Sequence, residues 1–481
     1  MDLLVVGYVI GTALMIEGAL MLIPLLFAAF IGESVVPFLA AIGASLVIGF
    51  PLYKAKPGTS NLLSKEGVVS TALVWIILSL TGMLPFIISG AIPDPVDAFF
   101  ETVSGFTTTG STILINVEIL PKSVLLWRSL MHWIGGMGIL VFMLALIPLS
   151  GGTQMNLMKA ESPGPSISKL VPRAQDTAKI LYGIYFAMTI ASILVFRLLG
   201  MPLFDSVCIG LGAAGTGGFS VLNDGCASYT TLQQAAITIF VTLFGINFNF
   251  YFLLLFKRDK KSAFKMEEVN WYLIIMLSSI ILMSVCLVVE GCYDSFFRAF
   301  HDSAFHAASI MTTTGYVTTD LNVWPAFNKV ILIMLMVIGA CAGSTGGGLK
   351  VSRVMLTFKA FIRECRKILH PQQIIRVHMD GKTVDENVIH SAGTYFFIYV
   401  LLTFASILLV SLDDLGWDTT ISAVIATFNN IGPGFGLVGS MENFSGLSHF
   451  SKLILSADML IGRLEIFPIM LLFSRRTWHK F

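Results

Sequence analysis

Ser104-Gly105-Phe106-Thr107-Thr108-Thr109-Gly110-Ser111 is restated far downstream as Ser309-Ile310-Met311-Thr312-Thr313-Thr314-Gly315-Tyr316. Looser versions stand at Gly215-Thr216-Gly217-Gly218-Phe219-Ser220 and at Asn429-Asn430-Ile431-Gly432-Pro433-Gly434. Each string lies between a short apolar run and a long one. Thr-Thr-Thr-Gly is unusual chemistry for the middle of a membrane helix. It supplies hydroxyls without formal charge, and glycine lets the backbone turn its carbonyl oxygens toward a chosen point.

The surroundings are those of a membrane protein. Of 481 residues, 55% are hydrophobic and 12% are charged, against about 25% charged in an ordinary soluble chain. Several apolar runs reach the roughly 20 residues that span a bilayer. The formal net charge of +1 carries no information about partners, and nothing points to nucleic acid. Six cysteines form no CxxC pair and eight histidines no HExxH motif, so zinc and disulfide-framework readings find no support. The chain enters its first apolar run directly after Met1-Asp2, without a basic leader, and this run reads as a retained helix.

Outward from the strings, one arrangement recurs: a long apolar helix, a half-length helix, a Thr/Gly string, and a second long helix. The first copy has helix 67–89, half-helix 95–105 and helix 121–149. The second has 174–200, 203–214 and 229–256. The third has 270–290, 297–309 and the span 324–368. The fourth has 387–411, 418–429 and 448–473. The expected fold is therefore an all-α polytopic membrane protein, with four pseudo-repeated helix–pore half-helix–helix units around one pore and two further N-terminal helices. The units are read as 67–157, 158–260, 261–383 and 384–481, preceded by the helix pair in 1–66. Asp97, Asp205 and Asp302 stand 13 positions before Gly110, Gly218 and Gly315, and Asp418 stands 14 before Gly432. That offset puts an Asp at the first turn of each half-helix, as a cap for free N–H groups.

Charge placement gives the orientation. With ten spanning helices, the loops bearing Lys54/Lys56/Lys65, Lys159/Lys169/Arg173, Lys257/Arg258/Lys260, Arg363/Arg366/Lys367 and Arg475/Arg476/Lys480 share one side. The positive-inside rule makes that side cytoplasmic, with both termini on it. The opposite face carries Asp94, Asp97, Glu101, Asp205, Asp302, Asp320, Asp413 and Asp418, an acidic mouth that would concentrate cations.

Non-helical backbone survives at membrane depth only where it lines a cavity or is buried in protein. The four strings are thus candidate walls of a selectivity filter: Thr108, Thr109, Gly110 and Ser111; Thr216, Gly217, Gly218 and Phe219; Thr313, Thr314, Gly315 and Tyr316; Asn430, Ile431, Gly432, Pro433 and Gly434. Their oxygens are neutral, which suits a monovalent cation better than calcium or magnesium. Helix C-termini aimed at the strings favour a cation further. The plainer alternative is that small residues merely let helices pack closely.

Two further features mark the lower half of the pathway. Gly339-Ala340-Cys341-Ala342-Gly343-Ser344-Thr345-Gly346-Gly347-Gly348, followed by Lys350, interrupts a long apolar span. Three successive glycines cannot remain a stiff helix, so Gly343 to Gly348 with Lys350 form a candidate gate. Gly462-Arg463-Leu464-Glu465 places charge inside the final helix, where it marks function. Arg463 reads as a barrier below the filter, with Glu465 paired to it or elsewhere. Arg128 is placed to hold an acid such as Glu101, and Asn247 and Asn249 to hydrogen-bond between helices.

The four unequal repeats, the glycines at 110, 218, 315 and 432, the Gly-Ser-Thr-Gly-Gly-Gly loop with Lys350, and Gly-Arg-Leu-Glu together resemble the TrkH-type subunits of the Trk/Ktr/HKT superfamily. The resemblance covers essentially the whole chain. It implies a bacterial inner-membrane K+ uptake protein, a homodimer, controlled by a cytosolic ring of TrkA-type nucleotide-binding subunits. It implies that filter glycines, Gly110 included, go with K+ preference, that the loop 339–348 is an intramembrane gate, and that Arg463 lies in the permeation path. By the same resemblance the transported ion would be K+, and no organic cofactor is expected in this chain. Unit four departs from Thr-Thr-Gly, which leaves open whether Gly432 or Gly434 is its filter glycine. The rival readings are an H+- or Na+-coupled K+ symporter and a non-transporting scaffold.

Overall fold

The computed structural model describes residues 2–55, 64–138, 174–256 and 260–478. The expected helix end at Gly151-Gly152 and the basic residues Lys56, Lys159, Lys169, Arg173, Lys257, Arg258 and Lys480 lie outside them.

Helices Leu3–Leu20, Leu22–Ile31 and Val36–Lys54 precede the repeats. The four half-helices are Pro95–Phe106, Leu203–Gly215, Phe296–Met311 and Trp417–Phe428, each following a long helix: Ser64–Gly82 with Leu84–Ile88, Ala174–Leu198, Glu267–Val289 and Glu386–Val410. Proline fixes φ near the helical value and lacks an N–H, so it starts helices well. Pro95 opens the first half-helix, and Pro121, Pro202 and Pro325 stand at the N-caps of Lys122–Met137, Leu203–Gly215 and Ala326–Ile338. The half-helices end on buried faces, with Val103, Ala213, Ile310 and Ala426 fully covered.

The second helix of each unit differs from expectation. Rather than ten uninterrupted spans, six helices among the described residues are long and apolar enough to cross a membrane, or seven if one bent pair counts as a span. Every second helix is short and ends near the level of the strings. Lys122–Met137 stops at Gly138, with φ 84°. The expected helix 229–256 is two, Thr231–Phe244 and Phe248–Phe256, bent by 87°. Ala326–Ile338 gives way to the glycine-rich loop before Val351–Leu369, as the sequence indicates. The expected helix 448–473 is His449–Arg463 and Phe467–Leu472, broken where Glu465 and Ile466 adopt φ of 59° and 51°.

A two-stranded antiparallel hairpin, His378–Met379 with Lys382–Thr383, is the β element among the described residues. Its Asp380-Gly381 turn has φ of 50° and 73°, the left-handed pair of a type I′ turn.

Candidate functional site

All four half-helices end in the same way. Thr108, Thr216, Thr313 and Asn430 carry left-handed backbone, with φ of 58°, 54°, 60° and 56°. Each donates its N–H to the carbonyl three residues back, respectively Gly105, Ala213, Ile310 and Thr427, at 3.1–3.2 Å. The next residue donates to the carbonyl five back: Thr109 to Ser104, Gly217 to Gly212, Thr314 to Ser309 and Ile431 to Ala426, at 2.8–2.9 Å. This is a Schellman termination repeated four times. A β-branched residue in left-handed backbone is an outlier, and strain of about 1–3 kcal/mol per residue persists only where the surroundings enforce it.

Two residues beyond each left-handed position comes a glycine, and the four glycines meet. A methyl group at Gly110 would lie 2.6 Å from the Gly218 amide nitrogen, and one at Gly218 would lie 2.7 Å from the Thr314 carbonyl oxygen. One at Gly315 would overlap the Ile431 carbonyl, and one at Gly432 would lie 2.7 Å from the Thr109 carbonyl oxygen. The contacts run from unit one to two, three, four and back to one. No side chain fits in that ring without displacing backbone. Ser111 donates to the Gly432 carbonyl at 3.2 Å, and Asn430 Nδ2 to Thr109 Oγ1 at 3.0 Å, closing the seam between units four and one. The register selects Gly432. Gly434 lies off the ring, against Ser422 and Val438 of its own unit.

Behind the ring, side chains brace the segments that leave it. Arg128 and Glu101, both buried, form the ion pair expected from the sequence at 2.8 Å. Glu101 also accepts from the Ile113 amide and Thr112 hydroxyl, both at 3.0 Å, and Arg128 donates to the Ser220 carbonyl at 3.3 Å. His132 Nε2 accepts from the Phe219 amide at 3.1 Å while Nδ1 meets the Gly105 carbonyl at 2.8 Å. In unit three, His306 lies 2.8 Å from the Asp302 carbonyl and accepts from the Thr318 amide at 3.4 Å. The two histidines are positioning residues that the sequence reading left without a role. No common spacing from Gly110 and Gly315 marks them, because His132 lies on the helix after its string and His306 on the half-helix before.

Phe219 and Tyr316 turn away from the axis. The Phe219 ring lies under the Arg128 guanidinium at 3.9 Å, and the Tyr316 hydroxyl donates to the Ile209 carbonyl at 3.2 Å. Their candidate contribution is therefore backbone. Above the ring, a cavity of about 100 Å³ is lined by Gly110, Ser111, Gly218, Gly315, Gly432 and Pro433.

The acidic mouth resolves into local pairs. Asp94, not Asp97, caps the first half-helix, accepting from Val96 and Asp97 amides at 2.9 and 3.0 Å. The Asp97 amide, with help from Val96 and the nearby His449 and Lys452, holds the Asp94 carboxyl below its ordinary range. Asp97 pairs with Lys452 at 2.6 Å, Asp205 accepts from Tyr229 at 3.2 Å, and Asp413 accepts from Ser448 at 2.7 Å. Asp302 sits in the second turn of its half-helix, which begins at Phe296, so it is not the first-turn cap expected from its spacing. Glu442 is the carboxylate that lines the cavity above the ring.

Below the ring lies the loop. The Gly347 amide donates to Thr313 Oγ1 at 2.6 Å, and a methyl on Gly346 would lie 2.7 Å from the Thr312 carbonyl oxygen. Lys350 Nζ donates to the Gly346 carbonyl. Arg463 donates to the Thr345 carbonyl at 2.8 Å, to the Gly136 carbonyl at 2.5 Å and to the Gly135 carbonyl, and reaches Thr108 Oγ1 at 3.5 Å. One guanidinium thus bridges unit four, unit one and the loop. Glu465 is not its partner. It forms a bidentate pair with Arg353, at 2.5 and 3.0 Å, where the chain leaves the loop. Asn247 bonds between helices as expected, donating to Glu268 at 3.2 Å.

Four helix–half-helix–helix units closed on one ring define a membrane transport protein of the multi-pass, pore-forming class, not an enzyme. The TrkH family profile, described as cation transport protein, matches residues 36–480. The Trk system potassium uptake protein TrkH of Salmonella typhimurium is 34% identical over 447 residues, covering 92% of this chain and 91% of that protein. TrkH of Halomonas elongata is 32% identical over 100% of both. The crystal structure of the potassium transporter TrkH from Vibrio parahaemolyticus superposes with a TM-score of 0.90 at 30% identity, covering 100% of each chain. The chain belongs to the TrkH family, within the Trk/Ktr/HKT superfamily that its motifs suggested.

Proposed function

We propose that this protein carries K+ into the cell across the bacterial inner membrane, through the ring formed by Gly110, Gly218, Gly315 and Gly432. The observation that carries this reading is the closed contact cycle of the four glycines, with left-handed backbone two residues before each. Neutral carbonyl and hydroxyl oxygens held by strained, braced backbone can replace the water of a monovalent cation. Thr108, Thr109, Thr216, Gly217, Thr313, Thr314, Asn430 and Ile431 supply the filter wall below the glycines, and Ser111, Phe219, Tyr316 and Pro433 the wall above.

Gly343 to Gly348 form the gate, locked by Lys350 and Arg463. What supports this is the loop's position against Thr312 and Thr313, with the Arg463 guanidinium spanning the seam. The basic loops and both termini face the cytoplasm, and a nucleotide-binding ring of the TrkA kind acts on the gate from that side of a homodimer. Conduction down the electrochemical gradient fits better than H+- or Na+-coupled symport. The carboxylates beside the loop, half-buried Glu465 and buried Glu268, are committed to Arg353 and to backbone amides.

Rubidium uptake into proteoliposomes, with reversal potentials measured under imposed K+, Na+ and pH gradients, tests the reading. Conduction predicts reversal at the potential set by the K+ gradient alone. A reversal that tracks the proton or sodium gradient would establish coupling.

A further inference from the structure

The gate loop is held from above by Thr313 and Arg463, yet its two ends are gathered by a side chain that the pathway does not touch. Glu268, in the first turn of Glu267–Val289, is 3% exposed. Its Oε1 accepts from the Ala342 amide at 2.6 Å and from the Ser352 amide at 3.2 Å. Ala342 leads into the glycines and Ser352 follows Lys350, so one oxygen pins both entry and exit. Its Oε2 accepts from Asn247 Nδ2 at 3.2 Å, at the break in the second helix of unit two. That break is itself sewn to the loop, since the Phe248 amide donates to the Gly343 carbonyl at 3.0 Å and the Cys341 amide to the Gly245 carbonyl at 3.1 Å.

The preceding residue faces the other way. Glu267 and Asp380 exchange bonds: the Glu267 amide donates to Asp380 Oδ1 at 2.8 Å, and the Asp380 amide to Glu267 Oε1 at 3.2 Å. Lys359 Nζ bonds Glu267 Oε2 and, at 2.8 Å, the His378 carbonyl. The exposed hairpin 378–383, the helix leaving the loop and the start of Glu267–Val289 are thereby one tied body.

The geometry points to Glu268 as the latch of the gate, a positioning residue that keeps both ends of the 339–350 loop together, and to Glu267 with Asp380 as its link to the hairpin. This rests on the loop being the gate. A carboxylate accepting buried amides holds them strongly, and losing it leaves those amides unpaired as long as the loop stays closed. A docked protein that displaces the hairpin would shift the first turn of the helix, and Glu268 with it, by the same rigid connection.

The test is rubidium influx into proteoliposomes holding the full chain alone, comparing wild type, Glu268→Ala, Glu268→Gln, Asn247→Ala and a 343–348 deletion as the open reference. Glu268→Ala should raise influx on the order of tenfold, toward the deletion. Glu268→Gln keeps an acceptor oxygen and should stay near wild type, and Asn247→Ala should give a smaller rise. Monodispersity and thermal melting of each variant identify any that fails to fold, in which case the Asn247→Ala result decides. A leaking deletion with Glu268→Ala and Asn247→Ala at wild-type flux overturns the latch and leaves the gate reading standing. A deletion that does not leak overturns both.

Discussion

Thr108, Thr216 and Thr313 show how much the ring demands of single residues. A β-branched side chain resists left-handed backbone, yet three of the four units place threonine there and the fourth asparagine. The glycines two residues later are constrained by their neighbours. Because a methyl group on Gly315 would overlap the Ile431 carbonyl, Gly315→Ala should cut rubidium uptake by about tenfold or more, a loss of roughly 1.4 kcal/mol in transition-state stabilisation. Unchanged uptake would remove Gly315 from the pathway. The Arg128–Glu101 pair makes a different kind of prediction. Removing one partner of a buried pair costs about 3–5 kcal/mol, so Arg128→Ala and Glu101→Ala should each lower thermal stability markedly in detergent. The double variant should fall well short of the sum. Additive losses would mean that the two charges do not depend on each other.

Among elements, the half-helices were readable and their partners were not. Expected bounds of 95–105, 203–214 and 418–429 lie within a residue or two of Pro95–Phe106, Leu203–Gly215 and Trp417–Phe428, because Pro95, Pro202, the acidic first turns and the Thr/Gly or Asn/Gly strings that follow are local chemistry. The breaks at Gly245–Asn247 and Leu464–Ile466 left no such mark. Phe-Gly-Ile-Asn-Phe and Arg-Leu-Glu-Ile can both continue a helix, and it is the tertiary position beneath the ring that forbids it. For the same reason the partner of Glu465 stayed open between Arg463 and another group: the Arg463 guanidinium is taken by the carbonyls of Thr345, Gly135 and Gly136. Nothing in the local sequence sets Glu267 and Glu268 apart from an ordinary acidic start to a helix. Arg463→Ala should release the loop and raise rubidium influx by the chain alone, and a fall in influx would mean that Arg463 supports conduction. At the first half-helix, Asp94→Ala should cost about 1 kcal/mol of stability. Since folding depresses the Asp94 carboxyl, its contribution is present above the ordinary carboxylate range and is lost as pH falls through the depressed folded value. Melting temperatures of wild type and variant should therefore converge in acid.

At the scale of the whole molecule, four divergent strings become equivalent only through their shared register. The sequence spacing of Asp97, Asp205 and Asp302 revealed the repeat, although the aspartates do not share one role: Asp97 pairs with Lys452, Asp205 meets Tyr229 and Asp302 is buried in a second turn. What equates the units is the left-handed residue and the double hydrogen bond that ends each half-helix, both invisible until the chain is folded. That register also puts Gly432 in the ring and leaves Gly434 against Ser422 and Val438. The central claim is that a cation sits on the axis these backbones surround. Crystals grown in rubidium or thallium, with data collected at the absorption edge, address it directly. The account predicts anomalous density on the axis enclosed by Gly110, Gly218, Gly315 and Gly432. Density confined to other sites, with the ring empty at saturating ion, would contradict it.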